Sequence, residues 1–453
     1  MDVRRVAFQV LLNIKSNGAY SNQALNQAFS EHELSAQDKA LATEIVYGTL
    51  THDQLLLFWL QPYFQGRVKE WIRILLMMTL YQMFYLDKIP NYAAIDAAVE
   101  IAKGRGGDFN AKTVNAILRN VASNEDVTSG DPMDLIDAIE DPFERLAIQY
   151  SHPLWLIRLW IAQFGEPRTI GMLKANNKRA KMVLRVNEAL ISREELITKL
   201  LGEGVKCVPG QISETAVIVI SGNPLRTDSF KEGLFYVQDE ASQLPALALA
   251  PIEGARVLDV CAAPGGKTFH LAEMIGDLGV VYAHDIYEHK IARMKENAQR
   301  LGVLNVEASM CSALDLTDCY EPESFDYVLV DAPCSGLGIL RRHPEAKLTK
   351  TPEDLDAIIQ IQTDILASSA RFLKPGGRLV YSTCTVNKKE NERQVMAFLQ
   401  ANSDFELDVT FESRMPAILK THFEAGMLQL LPQDFESDGF FIAALTRMVN
   451  ADN

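Results

Sequence analysis

The chain has 453 residues, of which 48% are hydrophobic and 23% charged. At roughly 150 residues per domain this allows about three ordinary cores, and it excludes disorder and fibres. A balance of 44 basic against 59 acidic residues leaves a net charge of −15, so a nucleic-acid partner requires a local basic surface.

Residues 1 to about 125 carry helix-period apolar spacing, beginning with Val6, Phe8, Val10, Leu11 and Ile14, without a cleavage site for export. Ser35 and Asp38 read as an N-cap pair ahead of Leu41, Ile45 and Val46. A second helix through Tyr81, Phe84 and Tyr85 stops before Pro90, and further helices are expected at 92–103 and 111–122. The longest apolar stretch, Trp71 to Leu86, contains Arg73 and is too short for the ~20 apolar residues of a membrane span. An acidic, turn-rich segment at 126–145 reads as a linker. Residues 146–233 mix helices with strands at Met182–Val186 and Ala216–Ile220, giving a small α/β subdomain. Between 171 and 187 lie Lys174, Lys178, Arg179, Lys181 and Arg185 without an acidic residue. Such runs are usually solvated surface, but this one also suits a phosphate backbone.

From 234 to 449 strand, turn and helix alternate, the rhythm of a doubly wound α/β domain. Strands are expected at 256–260, 280–284, 306–310, 325–330, 378–382 and 440–445, and helices at 267–275, 288–301, 353–372 and 388–400. The first strand opens into Cys261-Ala262-Ala263-Pro264-Gly265-Gly266-Lys267-Thr268, a small-residue turn that lets a ligand approach the backbone. A phosphate-binding NTPase loop is excluded because Cys261 stands where its pattern needs glycine, and G-x-G-x-x-G cannot be written across the turn. An adenosine-type ligand remains, with Asp285 closing the second strand where a carboxylate accepts from ribose hydroxyls.

Cys334, after Asp331-Ala332-Pro333, and Cys384, after Ser382-Thr383, both fall at carboxyl ends of neighbouring strands, the edge at which such sheets bind ligands. A phosphatase is excluded, since Glu390 and Leu340 stand where its arginine belongs. Sulfur addition to carbon 6 of a pyrimidine makes carbon 5 nucleophilic, and loss of the carbon-5 proton needs a second acid/base group. Two cysteines and Asp331 match those demands, though spacing does not order the two thiols. The other cysteines, 207, 261, 311 and 319, complete a set of six with no metal-ligand spacing, so free thiols, no metal and a cytosolic location are expected.

These runs, with Gln238 to Ser242, Arg341-Arg342-His343-Pro344-Glu345 and Lys374 to Gly377, resemble the Sun/Fmu branch of the RNA cytosine-5 methyltransferases over nearly the whole chain. The resemblance implies a Rossmann-like class I methyltransferase domain preceded by an all-helical NusB-like domain, matched best at Asn115 to Arg119. Leu184 to Asn187 resembles the start of the family's RNA-binding insert. It further implies S-adenosylmethionine as cofactor, with Cys261 to Lys267 and Asp331 at its methionine and adenosine parts and Asp285 at the ribose. Cys384 would attack carbon 6, Cys334 would assist release, and Asp331 would steady the ring. The implied substrate is a cytosine of the 967 type in 16S rRNA, with Arg341, Arg342 and the run from Lys174 to Arg185 on its phosphates. The sequence departs from many relatives at Met310-Cys311-Ser312-Ala313, where they place an aspartate near the adenine. Competing readings are a non-catalytic RNA-binding assembly factor and a cytosine-5 methyltransferase acting on tRNA. No membrane association is expected, and oligomeric state is open, with a monomer favoured.

Overall fold

The computed structural model describes residues 2–124 and 134–449, so the start of the expected linker lies outside the described residues. The chain divides into two compact units. One comprises Met1–Arg179 together with Leu340–Lys350, the other Ala180–Ile339 with Thr351–Asn453.

The first unit is helical. Its elements are α1 (Val3–Asn17), α2 (Ser21–Glu31), α3 (Ala36–Thr51), α4 (Asp53–Leu60), α5 (Glu70–Tyr85), α6 (Asn91–Ala122), α7 (Pro142–Tyr150), α8 (Leu154–Phe164) and α9 (Glu166–Asn176). Ser35 caps α3 by accepting from the Asp38 amide at 3.1 Å. The two helices expected at 92–103 and 111–122 abut as one element, bent at Gly107 with φ 74°. A core of Leu11, Ile45, Leu56, Leu75, Val114 and their neighbours joins these helices. The eleven residues from Leu340 to Lys350 belong to the same body. Within it the Glu345 carboxylate accepts from the Ser21 amide at 3.1 Å and Lys347 Nζ donates to the Thr51 carbonyl at 2.9 Å.

The second unit holds two sheets. Strands β1 (Met182–Val186), β2 (Lys206–Pro209), β3 (Ala216–Ser221) and β4 (Phe235–Val237) form an antiparallel sheet in the order β2-β3-β1-β4. Helix α10 (Arg193–Gly202) packs on it, held by a capping box between Ser192 and Glu195.

The larger sheet contains β5 (Arg256–Asp259), β6 (Val280–Asp285), β7 (Val306–Met310), β8 (Phe325–Asp331), β9 (Leu373–Thr383), β10 (Phe405–Leu407), β11 (Phe423–Glu424), β12 (Met427–Leu430) and β13 (Phe440–Arg447). Its order is β11-β12-β13-β9-β8-β5-β6-β7, with β10 against β13. Strands β5 to β9 run parallel and β13 antiparallel. Both faces are covered, so successive residues are apolar in both directions. Val257, Leu329 and Val380 enter one core with α11 (Glu240–Leu249) and α12 (Gly266–Ile275), while Leu258, Val330 and Tyr381 enter the other. The other long helices of this unit are α13 (Glu288–Leu301), α14 (Pro352–Ala370) and α15 (Glu392–Ala401). From β5 the chain winds outward to β6 and β7, and from β8 to β9 on the other side, so the switch point lies at the carboxyl ends of β5 and β8. Among the described residues no helix is long and apolar enough to cross a membrane.

Candidate active site

The turn from β5 into α12 is shaped by what surrounds it. The Ala262 amide donates to the His284 carbonyl at 2.8 Å, which fastens the turn to β6. Gly265 has φ 104°, and a Cβ there would meet the Phe269 ring at 2.4 Å, so only glycine closes the turn over that ring. Helix α12 starts with no side-chain cap and no acidic residue in its first turn, leaving its amides open to a carboxylate.

Lys267, the second residue of α12, reaches across to β8. Its Nζ donates to Asp331 Oδ2 at 2.8 Å, and Ser382 Oγ on β9 donates to Asp331 Oδ1 at 2.7 Å. Two neighbouring strands and one helix thus converge on one carboxylate. Burial works against the Lys267 ammonium, but Asp331 first, then Cys384 and Asp259, hold its pKa above the ordinary lysine value. Asp259 lies fully inside. Desolvation pushes its carboxyl up to about 7, aided by Asp331 and opposed by the Thr268 hydroxyl and Lys267.

Past Asp331 and Ser382 stand the two cysteines. Their sulfurs are 3.3 Å apart, so they share one site. The Cys334 thiol lies well above its ordinary value because it is hydrogen-bonded to Cys384, is desolvated, and faces the charges of Cys384 and Glu390. Cys334 therefore holds its proton. Cys384 has Lys267 as its electrostatic neighbour.

Asp285 ends β6, 9% exposed, where its Oδ1 accepts from the Tyr287 amide at 3.1 Å and faces Lys290 Nζ at 3.7 Å. At the neighbouring strand ends Ile286 and Met310 are each 57% exposed. Two apolar side chains beside a carboxylate suit a nucleoside. At the departing segment, the Cys311 amide donates to the Asp285 carbonyl at 3.3 Å and Ser312 Oγ accepts from the Leu314 amide at 3.1 Å.

The expected phosphate contacts divide. Lys174, Lys178 and Arg179 are exposed, in the helical unit. Lys181, in the second unit, pairs with Glu436 at 2.5 Å. Arg185 is a correction: it is 1% exposed, with Nε on Gln238 Oε1 at 3.0 Å and Nη1 on Glu273 Oε2 at 2.5 Å. It ties the small sheet to α11 and α12 and does not reach solvent. Arg341 is a second correction, being 7% exposed within the 340–350 segment of the helical unit. Arg342 is half-buried and faces Tyr47 electrostatically. Apart from Ser382, noted only within the Thr-Cys run, the residues that bind the catalytic loops together carry no sequence signal. Ser335 and Glu390 are the clearest case, because their contact spans 55 positions.

Three family models match the chain: NusB family over residues 1–123, the RsmF/B-like ferredoxin-like domain over 152–226, and 16S rRNA methyltransferase RsmB/F over 246–446. A Bacillus subtilis protein named probable ribosomal RNA small subunit methyltransferase B is 42% identical over 447 residues, covering 98% of both chains. A solved structure described as PH0851 has a TM-score of 0.82 at 26% identity and covers 98% of this chain and 99% of its own. A methyltransferase homologue from Pyrococcus horikoshii has a TM-score of 0.58 at 30% identity, covering 69% of this chain and all of its own.

Proposed function

Since the chain belongs to the RsmB/F family of 16S rRNA methyltransferases, we propose that it methylates carbon 5 of a cytosine of the 967 type in 16S rRNA through a covalent cysteine–pyrimidine adduct. It is an S-adenosylmethionine-dependent rRNA methyltransferase of the cytosine-5 kind. The residues present fit that cofactor: the uncapped start of α12 suits its carboxylate, Asp285 its ribose, and Ile286 with Met310 its adenine. When bound, it supplies an electrophilic methyl group.

The observation that carries the proposal is the 3.3 Å sulfur pair beside the Lys267–Asp331 ion pair. Cys384, facing the ammonium, adds to carbon 6. Asp331, bonded to Lys267 and Ser382, accepts from the cytosine amino group and holds the ring against the sulfur. After methylation the carbon-5 proton must pass to a base and Cys384 must be expelled, and Cys334, 3.3 Å from Cys384, is assigned to assisting that release. The base must leave its stack to reach these thiols. Exposed Lys174, Lys178 and Arg179 are assigned to the phosphate backbone, and helical residues 1–125 and the small subdomain 146–233 to RNA binding.

The test is labelled methyl transfer from S-adenosylmethionine to unmodified 16S rRNA, with denaturing gels to trap adducts. Cys384→Ala should abolish transfer without an adduct, and Cys334→Ala should abolish turnover while a stable protein–RNA adduct accumulates. An adduct only in Cys384→Ala would reverse the two roles. Transfer to tRNA in place of 16S rRNA, or no transfer at all, would overturn the substrate assignment.

A further inference from the structure

Glu390 is fully buried in the loop between β9 and α15, and nothing in the reaction above uses it. Its carboxylate collects donors from both catalytic loops. Oε2 accepts from the Ser335 amide at 2.8 Å and from Gln362 Nε2 at 3.1 Å, while Oε1 accepts from Ser335 Oγ at 2.6 Å and Asn387 Nδ2 at 3.0 Å. Gln362 also donates to the Pro333 carbonyl at 3.0 Å, so the residues on either side of Cys334 are held from one point. On the other side, Thr385 Oγ1 lies 2.8 Å from Ser335 Oγ, which links the residue after Cys384 to the residue after Cys334. The next residue, Asn391, accepts from Thr383 Oγ1 at 2.6 Å and donates to the Thr385 carbonyl at 3.0 Å, bracketing Cys384 itself.

A carboxylate with four good donors and no exposure is costly to bury unless each bond is kept. Through Ser335 and Gln362 it organises residues flanking Cys334, and Ser335 carries that link on to Thr385 beside Cys384. We propose that Glu390 is a positioning residue for the cysteine pair, locking the Pro-Cys and Thr-Cys loops into one register so that both sulfurs meet the same base. This rests on the two-cysteine reading above. Its negative charge also faces Cys334, and so helps that thiol keep its proton beside Cys384. The other titratable groups around the pair are Tyr381, Lys267 and Asp331.

Glu390→Gln preserves shape but turns one acceptor into a donor among donors, so the loops part. Misplacement by about 1 Å costs roughly 100-fold in rate. The expected result is kcat lower by about 100-fold, with KM for rRNA and affinity for S-adenosylmethionine within about twofold of the parent. Ser335→Ala removes one arm and should give a smaller loss in kcat alone. A direct readout of register is diamide-driven disulfide formation between Cys334 and Cys384, in which two thiols are oxidised and the diazene bond of diamide takes up their two protons and electrons. Glu390→Gln should slow it at least tenfold while thermal unfolding and cofactor binding report an intact fold. In the Cys334→Ala background Glu390→Gln should also slow adduct trapping. If wild type transfers methyl and Cys334→Ala traps the adduct, but the Glu390 and Ser335 variants match their parents in kcat and diamide rate, the positioning role is overturned. If wild type neither transfers nor traps, the function reading itself has failed.

Discussion

Lys267 shows how much one side chain can carry at a strand switch point. Its ammonium is the partner of Asp331 and the electrostatic neighbour of Cys384. Lys267→Met keeps the stem's packing over the Phe440 ring, which the ammonium faces at 5.2 Å, but strips the charge. Removing one preorganised electrostatic group from a site of this kind costs about 10²- to 10³-fold in rate. The loss should fall on the chemical step, since the cation faces both Asp331 and Cys384. Single-turnover methyl transfer checks this. The sequence placed both thiols, Asp331 and Lys267 at strand ends of the same edge. Glu390 entered it only as the residue standing where a phosphatase needs arginine, since a carboxylate's meaning here depends on a serine 55 positions away.

At the level of elements, the loop after β8 is bonded at Gly338 between the end of β9 and the residue that precedes β13. The Gly338 amide donates to the Cys384 carbonyl at 3.0 Å and its carbonyl accepts from Gly439 at 2.9 Å. A Cβ on Gly338 would stand 2.1 Å from the Gly439 carbonyl oxygen and 2.7 Å from that of Cys384, both backbone. Neither can swing aside. Gly338→Ala should therefore destabilise the second unit by about 1–3 kcal/mol and depress methyl transfer beyond that, measured by urea denaturation and by turnover of the folded fraction. Of the six principal strands of this unit, β5, β6, β8, β9 and β13 were legible because burial on both faces leaves long apolar runs, while β7, largely exposed at the sheet edge, was placed by the alternation of strand and helix. The short strands β10, β11 and β12 were not, because two to four residues carry no periodicity and their pairing is set by β13. Arg185 misled for a related reason. A cation within a basic run looks solvated until its strand is known to place it against Glu273.

Over the whole molecule, the division into units differs from the expected linear order because Leu340–Lys350 belongs with the helices. Lys347 in that segment is 3% exposed, and burial lowers its pKa to about 7, with Asp53 opposing. The groups facing it are Asp53, His52 and His152, and the two histidines are in turn held neutral by burial and by Lys347. The unfolded lysine keeps its proton to about pH 10.4, so between there and pH 7 the unfolded chain binds more protons and stability rises with pH. The slope is about 1.4 kcal/mol per pH unit for one proton. Lys347→Met should remove that slope between pH 7.5 and 9. Tryptophan fluorescence in urea reads it selectively, because all four tryptophans, Trp59, Trp71, Trp155 and Trp160, lie in the helical unit. The same segment sets a rule for synthesis. A nascent chain that has emerged only as far as Arg179 has helices α1 to α9 of the N-terminal body but neither Glu345 for the Ser21 amide nor Lys347 for the Thr51 carbonyl. The ribosome must deliver β5 through β8 and the Cys334 loop before those contacts close. The first body to leave the exit tunnel is thus completed by residues translated just after Cys334.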